Sequence, residues 1–455
     1  MKGLKLKDKG FIKALVTIAI PITIQNFFST SLNFVDNIMI GQLGKEAIAA
    51  VGQANKLFFL FVLILFGVYS GAGVFSAQFW GKRDIPNIKR VLGLSLIIGG
   101  AVSVIFALAA TLAPKTVMTM FSKDAEVIKL GTEYLRIIGI SYLLTSITFG
   151  FGMSARSVGL TKIPMYASVV SLGINTFLNY TLIFGKFGFT AMGVKGAAIA
   201  TLIARCIELF VTLYLLYKYN GGTVIAAKFS ELFDFSREFV AKILKTALPV
   251  IFNEFLWSLG MTIYAVIYGR ISTEAVNSAE ISNTILNLFM IIGRSIASAS
   301  AVMIGNKIGD NNVEEANTYA RRLCKLGVYV GIIMGAILIM TAPLFVKLFN
   351  VEQGIKNDVV TILIVMGFIS FIKILNGILV VGVFRSGGET VFAMLLDSGT
   401  VWCIGIPMAI IGGLWLKLPI PVVIALVNLE EVVKVVIGLK RMLSNKWIKN
   451  IVNDM

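Results

Sequence analysis

Apolar and charged positions alternate in long blocks along this chain. Apolar runs of about 18 to 25 residues recur throughout it, and short charged segments separate them. A bilayer core about 30 Å thick needs about 20 apolar residues in a helix, and the pattern lacks the short alternating strands of a membrane barrel. We therefore expect an all-α membrane protein with twelve transmembrane helices, at 14–40, 54–77, 92–114, 134–155, 164–184, 194–217, 245–269, 281–305, 326–346, 360–384, 392–412 and 419–439.

Basic residues cluster in alternate connections between the predicted spans. The basic segments are Lys2 to Lys13, Lys82 to Arg90, Lys218 to Lys245, Arg321 to Lys325 and Lys440 to Lys449. Connections on the other side, such as 41–53, 185–195 and 270–280, carry about half as many lysines and arginines. The positive-inside rule then predicts a multi-pass protein of the cytoplasmic (inner) membrane with both termini in the cytoplasm.

The two halves of the sequence resemble each other at a nearly constant offset. Pro21 corresponds to Pro249 (249 − 21 = 228), and R-S-V-G-L-T from Arg156 corresponds to R-S-G-G-E-T from Arg385 (385 − 156 = 229). Further matches at 228 are Phe27/Phe255, Gly41/Gly269, Glu46/Glu274, Ala47/Ala275, Asn55/Asn283 and Gly81/Gly309. The offset predicts two homologous six-helix lobes related by an axis along the membrane normal. We expect an N-terminal lobe at 1–218, a cytoplasmic linker at 219–242 and a C-terminal lobe at 243–455.

Composition agrees with the span pattern. The chain has 455 residues, of which 57% are hydrophobic and 14% charged, with a mean hydropathy of +0.87. Soluble domains are about 45–50% apolar and about 25% charged. The net charge is +17, and the lysines and arginines that produce it lie between the apolar spans without forming a single basic domain. Membrane lipids are therefore expected partners, and nucleic acid is not.

Several kinds of chemistry are excluded by residue type. The chain has no histidine, and Cys206, Cys324 and Cys403 show no metal-ligand or disulfide spacing. It also lacks the G-x-x-x-x-G-K-[ST] loop of ATPases and the G-x-S-x-G elbow of hydrolases. We expect no enzymatic activity and no cofactor.

Acids within the spans are the leading functional residues, since a charge at a helix centre costs about 2.5–3.5 kcal/mol on insertion scales. Asp36 lies in the first span, although an interfacial carboxylate is the alternative. Glu254 follows Pro249 in the seventh span. It is interpreted as a protonatable group, a partner of Lys373 or a contact for cationic substrates. Asn253 and Asn283 join it as C-terminal candidates for substrate or proton binding.

At an offset of 228, Glu254 corresponds to Asn26 and Asp36 corresponds to Tyr264. The two lobes are therefore expected to share a scaffold while differing in charge, and coupling through Asp36 is expected in the N-terminal lobe alone. Pro21 and Pro249 are interpreted as hinges, because proline frees a carbonyl and kinks a helix. A static kink is equally consistent with the sequence.

Other charges in the spans have local explanations. Arg205 and Glu208 are three positions apart and are expected to pair on one helix face. Arg294 and Asp397 either pair between helices or line a cavity. Arg156 and Arg385 are expected in short cytoplasmic turns, where they contact lipid phosphates or cap helix ends.

The sequence resembles the multidrug and toxic compound extrusion family along essentially its entire length. The motifs that carry the resemblance are N-F-V-D-N-I-M-I-G-Q-L-G from Asn33, A-Q-F-W-G-K-R-D from Ala77, I-N-T-F-L-N-Y-T-L-I-F-G from Ile174, G-V-K-G-A-A-I-A-T from Gly193 and F-R-S-G-G-E-T from Phe384. The resemblance implies two six-helix lobes in a V around a central cavity.

The resemblance also implies a cation-coupling site in the N-terminal lobe. The corresponding positions here are Asp36, Asn179, Thr201 and the backbone carbonyl of Ala197. A carboxylate, an amide, a carbonyl and a hydroxyl offer the clustered oxygens that a hard cation such as Na⁺ needs, and the same carboxylate can instead bind H⁺. The choice between Na⁺ and H⁺ stays open.

The expected function is secondary antiport of organic, often cationic, drugs or toxic compounds in exchange for Na⁺ or H⁺, carried out by a monomer. One alternative is a flippase for a lipid-linked precursor, which needs a strongly basic cavity for phosphates, whereas Asp36 and Glu254 are acidic. A membrane receptor or scaffold is a further alternative. It is disfavoured because the chain has no sizeable soluble domain to carry a signal.

Overall fold

The computed structural model describes residues 9–218, 221–349, 351–453 and 455, and within 32–34 it describes the backbone only. Lys2, Lys5 and Lys7 of the predicted basic N-terminal segment and the start of the predicted linker at 219–220 lie outside the described residues, as do the side chains of Asn33 and Phe34. Every regular element in the described ranges is a helix.

The described residues of the N-terminal half form nine helices: α1 (Lys9–Gly41), α2 (Lys45–Lys82), α3 (Ile85–Leu112), α4 (Pro114–Phe121), α5 (Ala125–Ile138), α6 (Ser141–Ser157), α7 (Lys162–Phe184), α8 (Gly193–Tyr217) and the short α9 (Phe229–Leu232). Acidic capping residues in the sequence mark the starts of two of these helices. The Asp84 carboxylate accepts a hydrogen bond from the Asn87 amide at 3.2 Å and begins α3, and Asp124 does the same for α5.

The C-terminal half forms α10 (Arg237–Ile271), α11 (Thr273–Gly309), α12 (Val313–Val346), α13 (Gln353–Gly377), α14 (Thr390–Thr400), α15 (Ile406–Ile410), α16 (Ile420–Val427) and α17 (Leu429–Leu443). Wider π-helical turns at Ile378–Arg385, Val401–Gly405 and Ile411–Trp415 follow α13, α14 and α15. Such turns are rare and often mark functional sites.

The predicted repeat is confirmed in the backbone. Asp84 caps α3 and Asn312 caps α12 (312 − 84 = 228), and the preceding residues Arg83 and Asn311 both have a left-handed φ, of 63° and 56°. Gly159 and Gly388, 229 positions apart (388 − 159), also have positive φ values, of 83° and 76°. Residues other than glycine seldom adopt this conformation, so its recurrence reflects a shared chain path.

Ten helical segments of the described residues are long and apolar enough to cross a membrane. An eleventh span is possible if α5 and α6, bent by 50°, count as one. These segments account for the first eleven predicted spans. The twelfth prediction, 419–439, corresponds to α16 and α17, which break at Asn428 and are absent from those segments.

The chain packs as two compact units. One unit comprises Ile24–Ser76 and Asp84–Ile243, and the other comprises Met1–Thr23, Ala77–Arg83 and Leu244–Met455. The first has one large buried cluster around Phe61, Tyr142 and Leu135. The second has two, one around Phe11 and Trp447 and the other around Tyr264 and Val401. The division at 1–218, 219–242 and 243–455 stays a prediction.

Candidate functional site

Asp36 lies near the end of α1 and is partly buried against α7. The Asn179 side chain donates a hydrogen bond from Nδ2 to Asp36 Oδ1 at 2.5 Å. Asn175 and Asn179 are both 1% exposed and are one helical turn apart on α7, so they face the same side. Of these two buried amides, Asn179 contacts the first-span acid and Asn175 contacts Asn179.

A hydrogen-bond chain joins these amides to α8. The second Asn179 N–H bond goes to Asn175 Oδ1 at 3.0 Å, and Asn175 Nδ2 donates to Thr201 Oγ1 at 3.2 Å. The Thr201 hydroxyl donates to the Ala197 carbonyl at 3.0 Å. The structure thus brings together Asp36, Asn179, Thr201 and Ala197. It connects them through Asn175, which sequence reasoning missed although its spacing from Asn179 is visible in the sequence.

The Asn179 side-chain oxygen has no hydrogen-bond partner among the described residues, although it is buried. A buried carbonyl oxygen without a donor is costly, and a cation satisfies it directly. Asp36 adds the negative charge, and the Thr201 hydroxyl and Ala197 carbonyl add oxygens. Across the described residues no group of three or more acidic, histidine or cysteine side chains could hold a metal.

Charged groups on α8 border this site. The predicted Arg205–Glu208 pair is confirmed, with 2.7 Å between Nη1 and Oε2, and Glu208 also accepts from the Ser168 hydroxyl at 3.0 Å. Arg205 is close enough to Asp36 to interact with it electrostatically, and the buried ring of Tyr134 on α5 lies near both. Arg205 therefore places a positive charge near Asp36.

The three C-terminal candidates lie in different surroundings. Glu254 accepts a hydrogen bond from Arg385 at 2.7 Å instead of pairing with Lys373. Asn253 donates to Asp397 at 3.0 Å and accepts from the Ser398 hydroxyl at 2.8 Å. Asn283 lines a separate cavity of about 210 Å³. The structure does not gather these three residues into one site.

Two arginines lie at the ends of helical segments and not in the short turns expected for them. Arg385 is 3% exposed and holds Glu254, and Arg156 donates to Gln25 at 2.5 Å. Each of the two guanidinium groups contacts the first helix of its own repeat. Pro21 and Pro249 both lie inside helices, α1 and α10, and their role as hinges stays a prediction.

The partners of Lys373, Asp397 and Arg294 were left open by the sequence. The first two residues pair with side chains of α17. Lys434 lies 2.8 Å from Asp397, and Lys373 lies 3.4 Å from Glu431. Arg294 donates to the Asn287 carbonyl at 2.8 Å. Sequence reasoning missed Glu430, Glu431 and Lys434, although three charges so close together in a predicted span were a detectable signal.

Comparisons with known proteins agree with this description. The MatE family model matches residues 21–181 and again 249–411, so the matches begin at the two equivalent prolines. The chain is 24% identical over 403 residues to "Probable multidrug resistance protein NorM" of Thermotoga maritima, covering 88% of this chain and 85% of that protein. It is also 24% identical over 453 residues to "Uncharacterized transporter YisQ" of Bacillus subtilis, covering 98% and 96%.

Solved structures share the fold. One described as "Crystal structure of MATE in complex with MaL6" has a TM-score of 0.87 and 22% identity, covering 98% of this chain and 99% of the other. A transporter of the MOP superfamily from Pyrococcus furiosus has a TM-score of 0.86 and 23% identity, with the same coverage. The membrane spans and these relatives identify an integral protein of the cell membrane. Because the family model matches most of the chain, in both halves, the chain belongs to the MatE family of membrane transporters.

Proposed function

We propose that this protein is a secondary antiporter that exports organic, often cationic, compounds in exchange for Na⁺ or H⁺ bound at Asp36. The observation that carries the proposal is the contact between Asp36 and Asn179, whose side-chain oxygen is buried without a partner. Relatives named as probable multidrug resistance proteins support the export of organic compounds.

The entering cation neutralises Asp36 and gives the Asn179 oxygen a partner. Coupling requires that the cation and the exported compound stabilise different conformations, because a ligand that binds both equally shifts neither. In the proposed cycle the cation enters from outside, binds at Asp36 and favours the state that releases the organic compound outward. After the cation leaves, the Arg205 guanidinium supplies the positive charge near Asp36. The protein works as a monomer with both termini in the cytoplasm.

The test is efflux of a cationic dye from proteoliposomes under a Na⁺ gradient or a pH gradient, imposed separately. Asp36→Asn keeps the size of the side chain and removes its charge, so we expect it to abolish the gradient dependence. Asp124→Asn is the matched control, since Asp124 caps α5 at an exposed position and asparagine caps helices equally well.

The gradient that drives the wild type identifies the coupling ion. Efflux by Asp36→Asn that follows the gradient as the wild type does would rule out the coupling assignment. If neither gradient drives any amphiphile, the flippase alternative is favoured instead.

A further inference from the structure

The segment that joins the two homologous halves contains an aromatic pair that the coupling site does not use. Phe229 is the first residue of α9 and Phe233 follows its last residue, and their ring centroids are 4.6 Å apart. Phe229 is 79% and Phe233 37% exposed, whereas Leu232 between them is buried. Adjacent exposed phenyl rings are unfavourable in water, so the position of α9 relative to the membrane decides what they contact.

Two ion pairs hold α9 against α3. Lys89 Nζ lies 2.9 Å from Glu231 Oε1, and Arg90 pairs with Asp234. The Glu231 carboxylate also accepts a hydrogen bond from the Lys228 backbone amide at 2.6 Å, which caps the short helix. The helix α9 is therefore a fixed part of the first compact unit, and its aromatic pair has a defined place beside α3.

The contact with α3 gives the depth of α9. A Cβ atom at Gly93 would come within 1.7 Å of the Leu232 carbonyl oxygen, so a glycine is needed for this close approach. Gly93 is the second residue of the span predicted at 92–114, and Lys89 lies about one helical turn before it. The α9 backbone thus lies where α3 passes from water into the apolar part of the bilayer.

The ion pair of Glu231 gives the direction of the rings. Successive residues of an α-helix are about 100° apart, so positions 229 and 231 lie on nearly opposite faces. Glu231 contacts Lys89, which is on the water side of Gly93. Phe229 therefore lies on the face of α9 that is turned toward the bilayer, and the Phe233 ring lies beside it.

The charges from Lys228 to Lys242 favour contact with phosphate groups. Two acids of this stretch, Glu231 and Asp234, are paired with α3. One acid then remains against three bases, a net charge of +2 (3 − 1 = 2), and these residues are Glu238, Lys228, Arg237 and Lys242. Lys228 and Arg237 are exposed. An aromatic face next to an excess of bases is typical of helices that lie at a membrane surface.

We propose that α9 is an interfacial anchor whose partner is the phospholipid leaflet on the basic side of the membrane. Phe229 and Phe233 insert among the acyl chains, while Lys228 and Arg237 contact the lipid phosphates. By the positive-inside rule this is the cytoplasmic leaflet. The anchor fixes this end of the first compact unit at the membrane surface, and it does not depend on which ion or compound the protein transports.

The test is spin-label spectroscopy of the full chain in vesicles of phosphatidylethanolamine and phosphatidylglycerol. In a background in which Cys206, Cys324 and Cys403 are replaced by alanine, either Phe229→Cys or Phe233→Cys carries a nitroxide label. Oxygen collects among acyl chains and a nickel chelate stays in water, so the ratio of their collision rates with the label reports its surroundings. We expect this ratio to shift toward the value of lipid at both positions.

Two reference positions calibrate the ratio. Ile105→Cys supplies the lipid value, because Ile105 lies in the middle of the same span of α3 and is 65% exposed. Glu314→Cys supplies the water value, because Glu314 is exposed at the start of α12 and close to its capping residue. Each labelled variant is compared with the wild type by gel filtration, which confirms that the substitution has left the fold intact.

A ratio equal to the lipid value at positions 229 and 233 supports the anchor, and a ratio equal to the water value at either position would overturn it. Low collision rates with both reagents would also overturn it, because the rings would then be covered by protein, such as a second copy of this chain. The measurement uses no ion gradient and no transported compound. Its failure would therefore leave the coupling assignment at Asp36 unaffected, and loss of that assignment would leave the anchor unaffected.

Discussion

Arg385 donates a hydrogen bond to Glu254 over 2.7 Å, and the side chains are only 4% and 13% exposed. The first half of the chain has the same contact between Arg156 and Gln25, with the same separation of 131 residues along the chain. The contact therefore gives Gln25 the role that Glu254 has in the other half, although Asn26 is the residue that corresponds to Glu254 at the offset of 228. The repeat keeps the arginine and replaces the acid by its neutral amide.

This relationship predicts a graded effect at Glu254. Glu254→Ala leaves a buried guanidinium without its partner and should destabilise the protein by about 3–5 kcal/mol. Glu254→Gln should cost less, because the amide oxygen still accepts from Arg385, as Gln25 does from Arg156. Thermal unfolding of the purified variants in detergent measures the order. Equal losses for both substitutions would contradict this account, and Gln25→Ala provides the comparison in the other unit.

The amide chain on α7 predicts a second result. Asn179→Ala removes the hydrogen bond to Asp36 and the unpartnered oxygen, so the concentration of coupling ion for half-maximal efflux should rise about tenfold or more. Asn175→Ala should have a smaller effect, since Asn175 does not touch Asp36.

Thr181→Ala is the control for both substitutions. Thr181 is buried on the same helix, and its hydroxyl donates to the Phe177 carbonyl of its own helix. An effect of Thr181→Ala as large as that of Asn179→Ala would show that α7 responds to any polar deletion.

The close packing at Gly405 predicts a third result. Gly405→Ala forces a methyl group against Tyr264 and Glu430 and should destabilise the protein by about 1–3 kcal/mol. Gly399 lies in the same span with nothing within 4 Å of its Cβ position. Gly399→Ala should therefore be neutral or stabilise the protein by up to about 1 kcal/mol, because alanine favours helix. Melting temperatures that fall equally in both variants would refute the packing argument.

The C-terminal segment predicts a fourth result through Gln78. The Gln78 amide donates to the Ser386 carbonyl at 2.8 Å and to the Lys449 carbonyl at 3.2 Å, and it accepts from the Ile451 amide at 2.9 Å. Gln78→Ala leaves these backbone groups without the partner and should cost at least about 1–3 kcal/mol.

Limited proteolysis of the purified protein measures this effect, because the loosened segment after Trp447 should be cleaved faster. Gln353→Ala is the control, since Gln353 is exposed and bonds only within its own helix. Unchanged cleavage in Gln78→Ala would mean that the buried Trp447 side chain alone holds the segment.

The sequence pattern was sufficient for the helical class and the repeat, whereas the residues around Asp36 came from the family resemblance. Apolar length is a property of single segments, and the repeat is visible as a constant offset, so neither required knowledge of contacts. The contact between Tyr264 and Glu430 was not predictable in this way. Tyr264 and Glu430 are 166 residues apart, and only the folded chain shows that Lys434 and Lys373 are taken by other acids.

The second compact unit combines segments that lie far apart in the sequence, and this has a consequence for synthesis in the cell. This unit includes the segment Ala77–Arg83 and also Ile451, which lies 373 positions after Gln78. Gln78 therefore cannot form its hydrogen bonds with Lys449 and Ile451 until those later residues have been translated. In a chain released before Trp447, Gln78 near the end of α2 lacks its hydrogen bonds with Lys449 and Ile451. Quality-control proteases recognise such an incompletely bonded protein as unfinished.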